Sequence, residues 1–298
     1  MHKIIKLESV AQFNAERGQK TLHPLVSVLD QAKSNPIHAA LYVSELYIIF
    51  LKEIKCKELK YGRNHYDYEE GTLLFIAPGQ VYGFDDNEKT FQPTGWALLF
   101  HPDLIRGTSL GRHIKDYSFF SYDVNEALHL SDRERQIVLE CFNKIRYELE
   151  HAIDKHSKNL IVSNIELFLN YCVRFYDRQF ITRDNIHKDV LARFEELLDD
   201  FFRSGKPQIL GLPSVKYCAQ QLNLSANYFG DLVKKETGKS AQEFIQDKVI
   251  DVAKEKVFDT SKSISEIAYE IGFKYPSHFT RLFKRFVGQT PNEYRSLN

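Results

Sequence analysis

The chain has 298 residues, 43% hydrophobic and 27% charged, and its 40 Lys and Arg are balanced by 40 Asp and Glu. Such a composition describes a globular protein of about two domains with enough apolar residues for a core. Zero net charge argues against a coat for nucleic acid, because non-specific affinity rests on many phosphate contacts.

The opening stretch, MHKIIKLESVAQFNAERG, lacks the apolar centre of a secretion signal, and no run of about 18 apolar residues occurs anywhere. The expected setting is a reducing cytoplasm, with no membrane. The cysteines Cys56, Cys141, Cys172 and Cys218 are far apart and form no CxxC pair. Neither a zinc site nor a disulfide framework is supported.

From residue 40 to about 100, LYVSELYIIFLKEI, GTLLFIAPGQVYGF and TGWALLFHP are rich in β-branched and aromatic residues and punctuated by Gly and Pro. They predict several short strands, as in a barrel or sandwich. The period changes at Ser131-Asp-Arg-Glu134, a capping-box pattern. It is followed at helical spacing by Ile137, Val138, Cys141, Phe142, Ile145 and Leu149. A second helix begins near Leu160, with Ile161, Ile165, Phe168, Leu169, Cys172 and Phe175 on one stripe. Such a stripe fits core packing or a dimer seam, the latter built on Ile161, Ile165, Phe168 and Cys172. The polar stretch Thr182 to Lys188 is the expected domain boundary. Another amphipathic helix follows it through Val190, Phe194, Leu198 and Phe201, and RSGKPQILGLPS reads as a loop.

The last hundred residues repeat themselves. Lys234–Phe244 (KKETGKSAQEF) matches Lys284–Tyr294 (KRFVGQTPNEY) at an offset of 50, while Cys218-Ala219 matches Ile267-Ala268 at 49. The second copy therefore has one extra residue in its turn. Gly272, and Asn223 in the equivalent place, suit the left-handed conformation that ends a helix. Ala219 and Ala268 are small where a second helix must cross. Phe279, Leu282, Phe283 and Phe286 recur as a core face. Ser240-x-x-Glu243, Ser263-x-x-Glu266 and Thr290-Pro-Asn-Glu293 are capping boxes, with Pro291 at a first helical position. The pattern specifies helix, tight turn, helix, twice over. That is the geometry by which a helix-turn-helix presents its second helix to the major groove.

From Ile264 to Arg295, ISEIAYEIGFKYPSHFTRLFKRFVGQTPNEYR resembles the signature of the AraC/XylS-type DNA-binding domain. The N-terminal part is more loosely similar to that family's cupin-like effector and dimerisation domain, most visibly in GTLLFIAPGQ. The resemblance implies an α+β chain of two domains. Residues 1–182 would hold a cupin-like β-barrel (about 20–125) with two long helices (about 131–178), and 183–298 an all-α DNA-binding domain with two helix-turn-helix units. It further implies a transcription regulator, activation being the family's commoner mode. Double-stranded promoter DNA and RNA polymerase would be its partners, with a small-molecule effector, a homodimer and no cofactor. Tyr275 and Pro276 replace the family's usual short polar pair, Val249 stands where Arg is common, and Lys256 where Leu is common.

With Phe279, Leu282 and Phe283 turned inward, Ser277, His278 and Arg281 face outward, and these match base-reading positions in the resemblance. Arg281 in particular suits a bidentate contact to guanine. A solvated face or a salt bridge is the plainer reading of Arg281, and a phosphate contact that of His278. The candidate base-reading set is Tyr275, Ser277, His278 and Arg281, joined by Asn227, Gly230 and Asp231 from the first unit. The candidate phosphate set is Lys234, Lys235, Lys274, Lys284 and Arg285. Asp231 is unfavourable beside phosphate unless it accepts from a cytosine amino group or caps a cation. Gly230, which costs a helix about 1 kcal/mol relative to Ala, suits a close approach to the groove. The second unit is thus expected to carry more of the sequence information.

The basic balance supports this weakly: from Lys206 onward there are 14 Lys and Arg against 10 Asp and Glu, a net of +4. The rival reading is a metal-dependent cupin enzyme fused to a DNA-binding module. It meets an incomplete ligand set, with only His65, Glu69 and Glu70 in GRNHYDYEEG and Tyr82 where a His often lies. A methyl-accepting repair fusion needs an activated, exposed thiolate. Cys218 falls on a core position, and only Cys56 is flanked by cations.

Overall fold

The computed structural model describes residues 4–38, 40–52, 71–83, 90–123, 126–182 and 184–297. The chain divides into two compact units, Met1–Thr182 and Arg183–Asn298.

Among the described residues the first unit has ten short strands and five α-helices. In chain order they are β1 (Ile4–Leu7), α1 (Val10–Glu16), β2 (Val26–Asp30), β3 (Ile37–His38), β4 (Leu41–Ser44), β5 (Tyr47–Lys52), β6 (Thr72–Ile76), β7 (Val81–Gly83), β8 (Thr90–Phe91), β9 (Trp96–Phe100), α2 (Pro102–Ile105), α3 (Ser109–His113), β10 (Leu128–His129), α4 (Asp132–Glu150) and α5 (Ser157–Thr182). The strands form a five-stranded sheet in the order β10-β6-β5-β9-β2, a three-stranded sheet β1-β4-β7 and the pair β3-β8. Among the described residues these ladders run in open order and do not close into a single barrel. WALLF in β9 reads as an unbroken apolar run because Ala97, Leu98, Leu99 and Phe100 are all buried, with the sheet covered on both faces. One face meets Val10 and Phe13 of α1 and Tyr42 of β4. On the other, Phe75 lies 6.5 Å from Phe168 and 6.3 Å from Tyr176, both on α5.

That second face corrects the dimer seam. Ile161, Ile165, Phe168 and Cys172 are 0% exposed, because their stripe packs on the sheet and on α4, where Phe142 and Phe168 stand 5.1 Å apart. They have no surface left for another chain. Burial also pushes the Cys172 thiol well up, so it stays protonated and inert. The Ser131 box forms as its sequence predicts: the Ser131 hydroxyl accepts from Glu134 N, and the Glu134 carboxylate accepts from Ser131 N.

The second unit is all helical: α6 (Asp184–Arg203), α7 (Lys206–Leu210), α8 (Val215–Gln221), α9 (Ala226–Thr237), α10 (Ala241–Val257), α11 (Ile264–Ile271), α12 (Pro276–Val287) and α13 (Pro291–Leu297). The helix α6 starts inside the polar stretch Thr182 to Lys188 that is expected to hold the domain boundary. Phe194 of α6 packs 4.8 Å from Phe229 of α9 and 5.1 Å from Phe244 of α10. Asp199 of α6 pairs with Lys248 of α10, which holds the Asp199 carboxyl below its usual range. The predicted loop RSGKPQILGLPS contains α7, with Pro207 in the first turn, where its missing N–H costs nothing.

Candidate nucleic-acid interface

The two repeats fold by the same local chemistry. Ser214 caps α8 by accepting from Tyr217 N at 3.1 Å, and Ser263 caps α11 by accepting from Glu266 N at 3.2 Å. Each first helix then ends in a paired-bond turn. In the first copy Leu224 N donates to Ala219 O at 2.9 Å and Asn223 N to Gln220 O at 3.1 Å. In the second, Phe273 N donates to Ala268 O at 2.9 Å and Gly272 N to Tyr269 O at 3.0 Å. This is the Schellman arrangement, which needs a left-handed residue at its centre. Asn223 takes φ 57° and Gly272 φ 105°, and Asn223 is the sole non-glycine with positive φ among the described residues. One residue, Leu224, separates that centre from the next N-cap, Ser225. In the second copy two, Phe273 and Lys274, separate it from the N-cap Tyr275. The extra residue inferred from the offset lies there.

Behind both turns the matched core positions are filled. Cys218 and Ile267, Ala219 and Ala268, Phe229 and Phe279, and Val233 and Phe283 are each at most 1% exposed. Cys218 is thereby an inert thiol, pushed up to about 12 by burial. Leu282 is half-buried, and Phe286 departs from the expected core face: it is 37% exposed and lies 5.0 Å beneath the Arg285 guanidinium.

The second turn has a backbone support that the sequence does not announce. A methyl group at Gly272 would sit 2.8 Å from Gly211 C and 2.9 Å from Pro207 O. Thus α7 and Gly211 pack directly on the end of α11. A second missed support is Arg295, whose Nε donates to Val257 O at 2.6 Å and whose Nη2 donates to Asp259 O at 3.2 Å, closing the C-terminal end of α10. A third joins α10 to α11, where Glu270 takes Lys256 at 2.5 Å and Lys262 at 2.8 Å. The departure of Lys256 from the common Leu was the signal for this pair.

The candidate reading residues separate by copy. On α12, Tyr275, Ser277, His278 and Arg281 are all exposed. Tyr275 meets His278 edge to face at 5.3 Å, and Lys274 Nζ lies 5.7 Å from the Tyr275 ring. Lys274, Tyr275 and His278 therefore form one contiguous group at the start of the helix. No hydrogen bond or ion pair ties Arg281 among the described residues, so the salt-bridge alternative finds no partner there. On α9, Asn227 is exposed while Gly230 and Asp231 are half-buried. A Cβ at Gly230 would meet nothing within 4 Å.

The candidate phosphate residues are spread differently. Lys234 and Lys235 lie in the last turn of α9, and Lys284 and Arg285 in the last turn of α12, where cations favour the helix dipole. Arg285 also donates from Nη2 to Gln246 Oε1 at 2.8 Å, which fixes it to α10. His65, Glu69, Glu70 and Cys56 lie outside the described residues. Within them no cluster of three His, Cys, Asp or Glu is placed to hold a metal, and no helix is long and apolar enough to cross a membrane.

Residues 218–296 match the family described as a helix-turn-helix domain. An uncharacterized helix-turn-helix transcriptional regulator of Bacillus subtilis, YfiF, is 34% identical over 153 residues, covering 49% of this chain and 45% of that one. The chain thus spans less than half of that relative. The probable transcriptional regulator LumQ of Photobacterium leiognathi is 23% identical over 241 residues, covering 78% of this chain and 86% of its own. Among solved structures, the C-terminal domain of AraT, a response regulator from Geobacillus stearothermophilus, is 25% identical and covers 37% of this chain and 85% of its own, at a TM-score of 0.32. The α8–α9 and α11–α12 pairs fall within the matched segment or overlap its start, and the C-terminal unit carries a helix-turn-helix domain of the kind found in these transcriptional regulators.

Proposed function

We propose that the chain is a sequence-specific, DNA-binding transcription regulator of the AraC type. It would insert α9 and α12 into successive major-groove segments roughly 34 Å apart. The carrying observation is the repeated helix, Schellman turn and helix, with Ser277, His278 and Arg281 exposed on the second helix. Arg281 reads guanine, His278 and Tyr275 lie against neighbouring base edges, and Lys234, Lys235, Lys274 and Lys284 meet phosphates. Arg285, held by Gln246, reaches the backbone from a fixed position. Of the first copy's candidates, Asn227 is the reader, while Gly230 and Asp231 lie deeper.

The reading extends to the first unit as a cupin-like effector domain, and to a homodimer that recruits RNA polymerase in the cytoplasm as an activator. Binding-site selection with purified protein tests the assignment. Arg281→Ala should lose about 1–3 kcal/mol of discrimination at one guanine, and Asn227→Ala less. If Asn227→Ala relaxes specificity more, the second unit is not the principal reader.

A further inference from the structure

One buried group in the first unit is left without chemistry by everything above. Arg17 closes the C-terminal end of α1, its backbone N–H donating to Phe13 O at 3.2 Å and its carbonyl accepting from Asn35 N at 2.9 Å. Its side chain is 5% exposed, yet neither Nη1 nor Nη2 has a hydrogen-bond partner among the described residues. One turn earlier on the same helix, Asn14 is 0% exposed and donates from Nδ2 to Thr21 Oγ1 at 3.2 Å, while its Oδ1 accepts nothing. Across from α1, Tyr82 of β7 pairs in register with Tyr42 of β4 and stacks on it at 5.6 Å. The Tyr82 hydroxyl is buried and likewise unmatched. Val10 and Phe13 of α1 share one core cluster with Tyr42 and Tyr82, so helix end and sheet face belong to a single packed region.

A guanidinium cannot shed its proton to escape this position. Burial disfavours its charge, and Tyr42 and Glu16 are the charged or ionisable groups that act on it. Glu16 itself is exposed, burial raises its carboxyl above the usual value, and it makes no hydrogen bond to Arg17 among the described residues. Burial pushes the Tyr82 phenol far up as well, keeping it a neutral donor. A buried cation without a hydrogen-bond partner is unfavourable, and the planar fork of Arg is matched best by a carboxylate. Asn14 Oδ1 calls for a donor next to it.

We propose that the first unit binds a small carboxylate carrying an adjacent hydroxyl or amino group. Arg17 grips the carboxylate, Tyr82 donates to it and Asn14 accepts from the neighbouring donor. The inference deepens the effector role proposed above and rests on that reading for its purpose, though not for its evidence.

The test uses the full chain with lactate as probe and lactamide, its neutral counterpart, as control. Thermal unfolding and calorimetric titration are measured beside DNA affinity. Lactate should raise Tm by about 4 °C or more at saturation, and lactamide should leave it unchanged. Arg17→Met should abolish the shift, and Tyr82→Phe should weaken lactate binding about tenfold, the loss of one charge-assisted hydrogen bond. Tyr82→Phe keeps the ring stack, so it decides the matter if Arg17→Met does not fold. Absence of a lactate shift, an equal shift with lactamide, or a shift retained in both variants would overturn the proposal. Lactate binding that leaves DNA affinity unchanged would uphold the site and remove the effector role.

Discussion

Three glycines of the second unit show how one residue type serves separate demands. Gly272 must hold φ 105° and must also admit backbone from Gly211 at a distance no Cβ tolerates. Gly288 holds φ 84° but faces open space. Gly272→Ala should therefore cost roughly 2–5 kcal/mol, combining left-handed strain with overpacking, and Gly288→Ala only about 1–2 kcal/mol. Urea unfolding of both variants checks the difference; equal losses would mean that the contact with α7 contributes nothing. Gly230 is the opposite case, lying within α9 with nothing near its missing Cβ. Gly230→Ala should stabilise the protein by about 1 kcal/mol. If Gly230 gives DNA a close approach, the same variant should bind its site more weakly in a gel-shift titration, so stability and affinity move in opposite directions.

At the scale of elements, the capped helices were the most legible part of the chain. Ser131, Ser240, Ser263 and Thr290 each announce a helix start by a local rule, and each makes the expected bond to the residue three ahead. The left-handed centres Asn223 and Gly272 were legible for the same reason, since a Schellman turn involves only neighbouring residues. What escaped depends on distant partners or on brevity. The five residues of α7 are too few for periodicity, and Pro207 with Gly205 and Gly211 looks like loop punctuation. The stripe on α5 was read correctly as apolar, but spacing alone does not say whether a sheet or a second chain covers it. Phe286 fits the heptad arithmetic of a core face, yet it lies at the end of α12 where Arg285 covers it.

The α10–α11 contact, hinted at only by Lys256 standing where Leu is common, has a pH signature. Hydrogen bonds from Lys256 and then Lys262 hold the Glu270 carboxyl below its ordinary value of 4.5. The folded form therefore releases this proton more readily than the unfolded chain does. Its stabilisation is present above pH 4.5 and is lost as pH falls through the lower folded value. At neutral pH Glu270→Gln should cost about 0.5–2 kcal/mol. The gap from the parent protein should close in acid, as followed by urea unfolding of both across that range.

For the whole molecule, the apolar stripe of α5 is taken up within its own unit, so the proposed homodimer would need a different face. With Ile161, Ile165, Phe168 and Cys172 inside, the outward side of α5 carries Leu160, Asn164, Leu167 and Tyr171 at coiled-coil spacing. Leu160 and Leu167 are 46% and 42% exposed, and Tyr147 of α4 is 60% exposed nearby, beside a groove of about 390 Å³ that Asn164 also lines. If the homodimer forms here, Leu167→Glu should convert it to monomer in analytical ultracentrifugation while leaving the helix content unchanged. Cys172→Ser should instead destabilise the first unit without changing association in any specific way. An unaltered dimer in Leu167→Glu would move the seam elsewhere.

The meeting of Gly211 with Gly272 has a consequence for how such a protein changes over generations. The turn that aims α12 is held against α7 by main chain, and no side chain at that contact has to be kept in step with the target sequence. On the function proposed above, substitutions at Ser277, His278 or Arg281 would rewrite what is read while the bearing on which the helix is mounted stays the same. If α12 reads DNA, new preferences are therefore open to single replacements on its outer face, while the mount needs Gly272 to stay without a side chain and Gly211 to keep its positive φ of 78°.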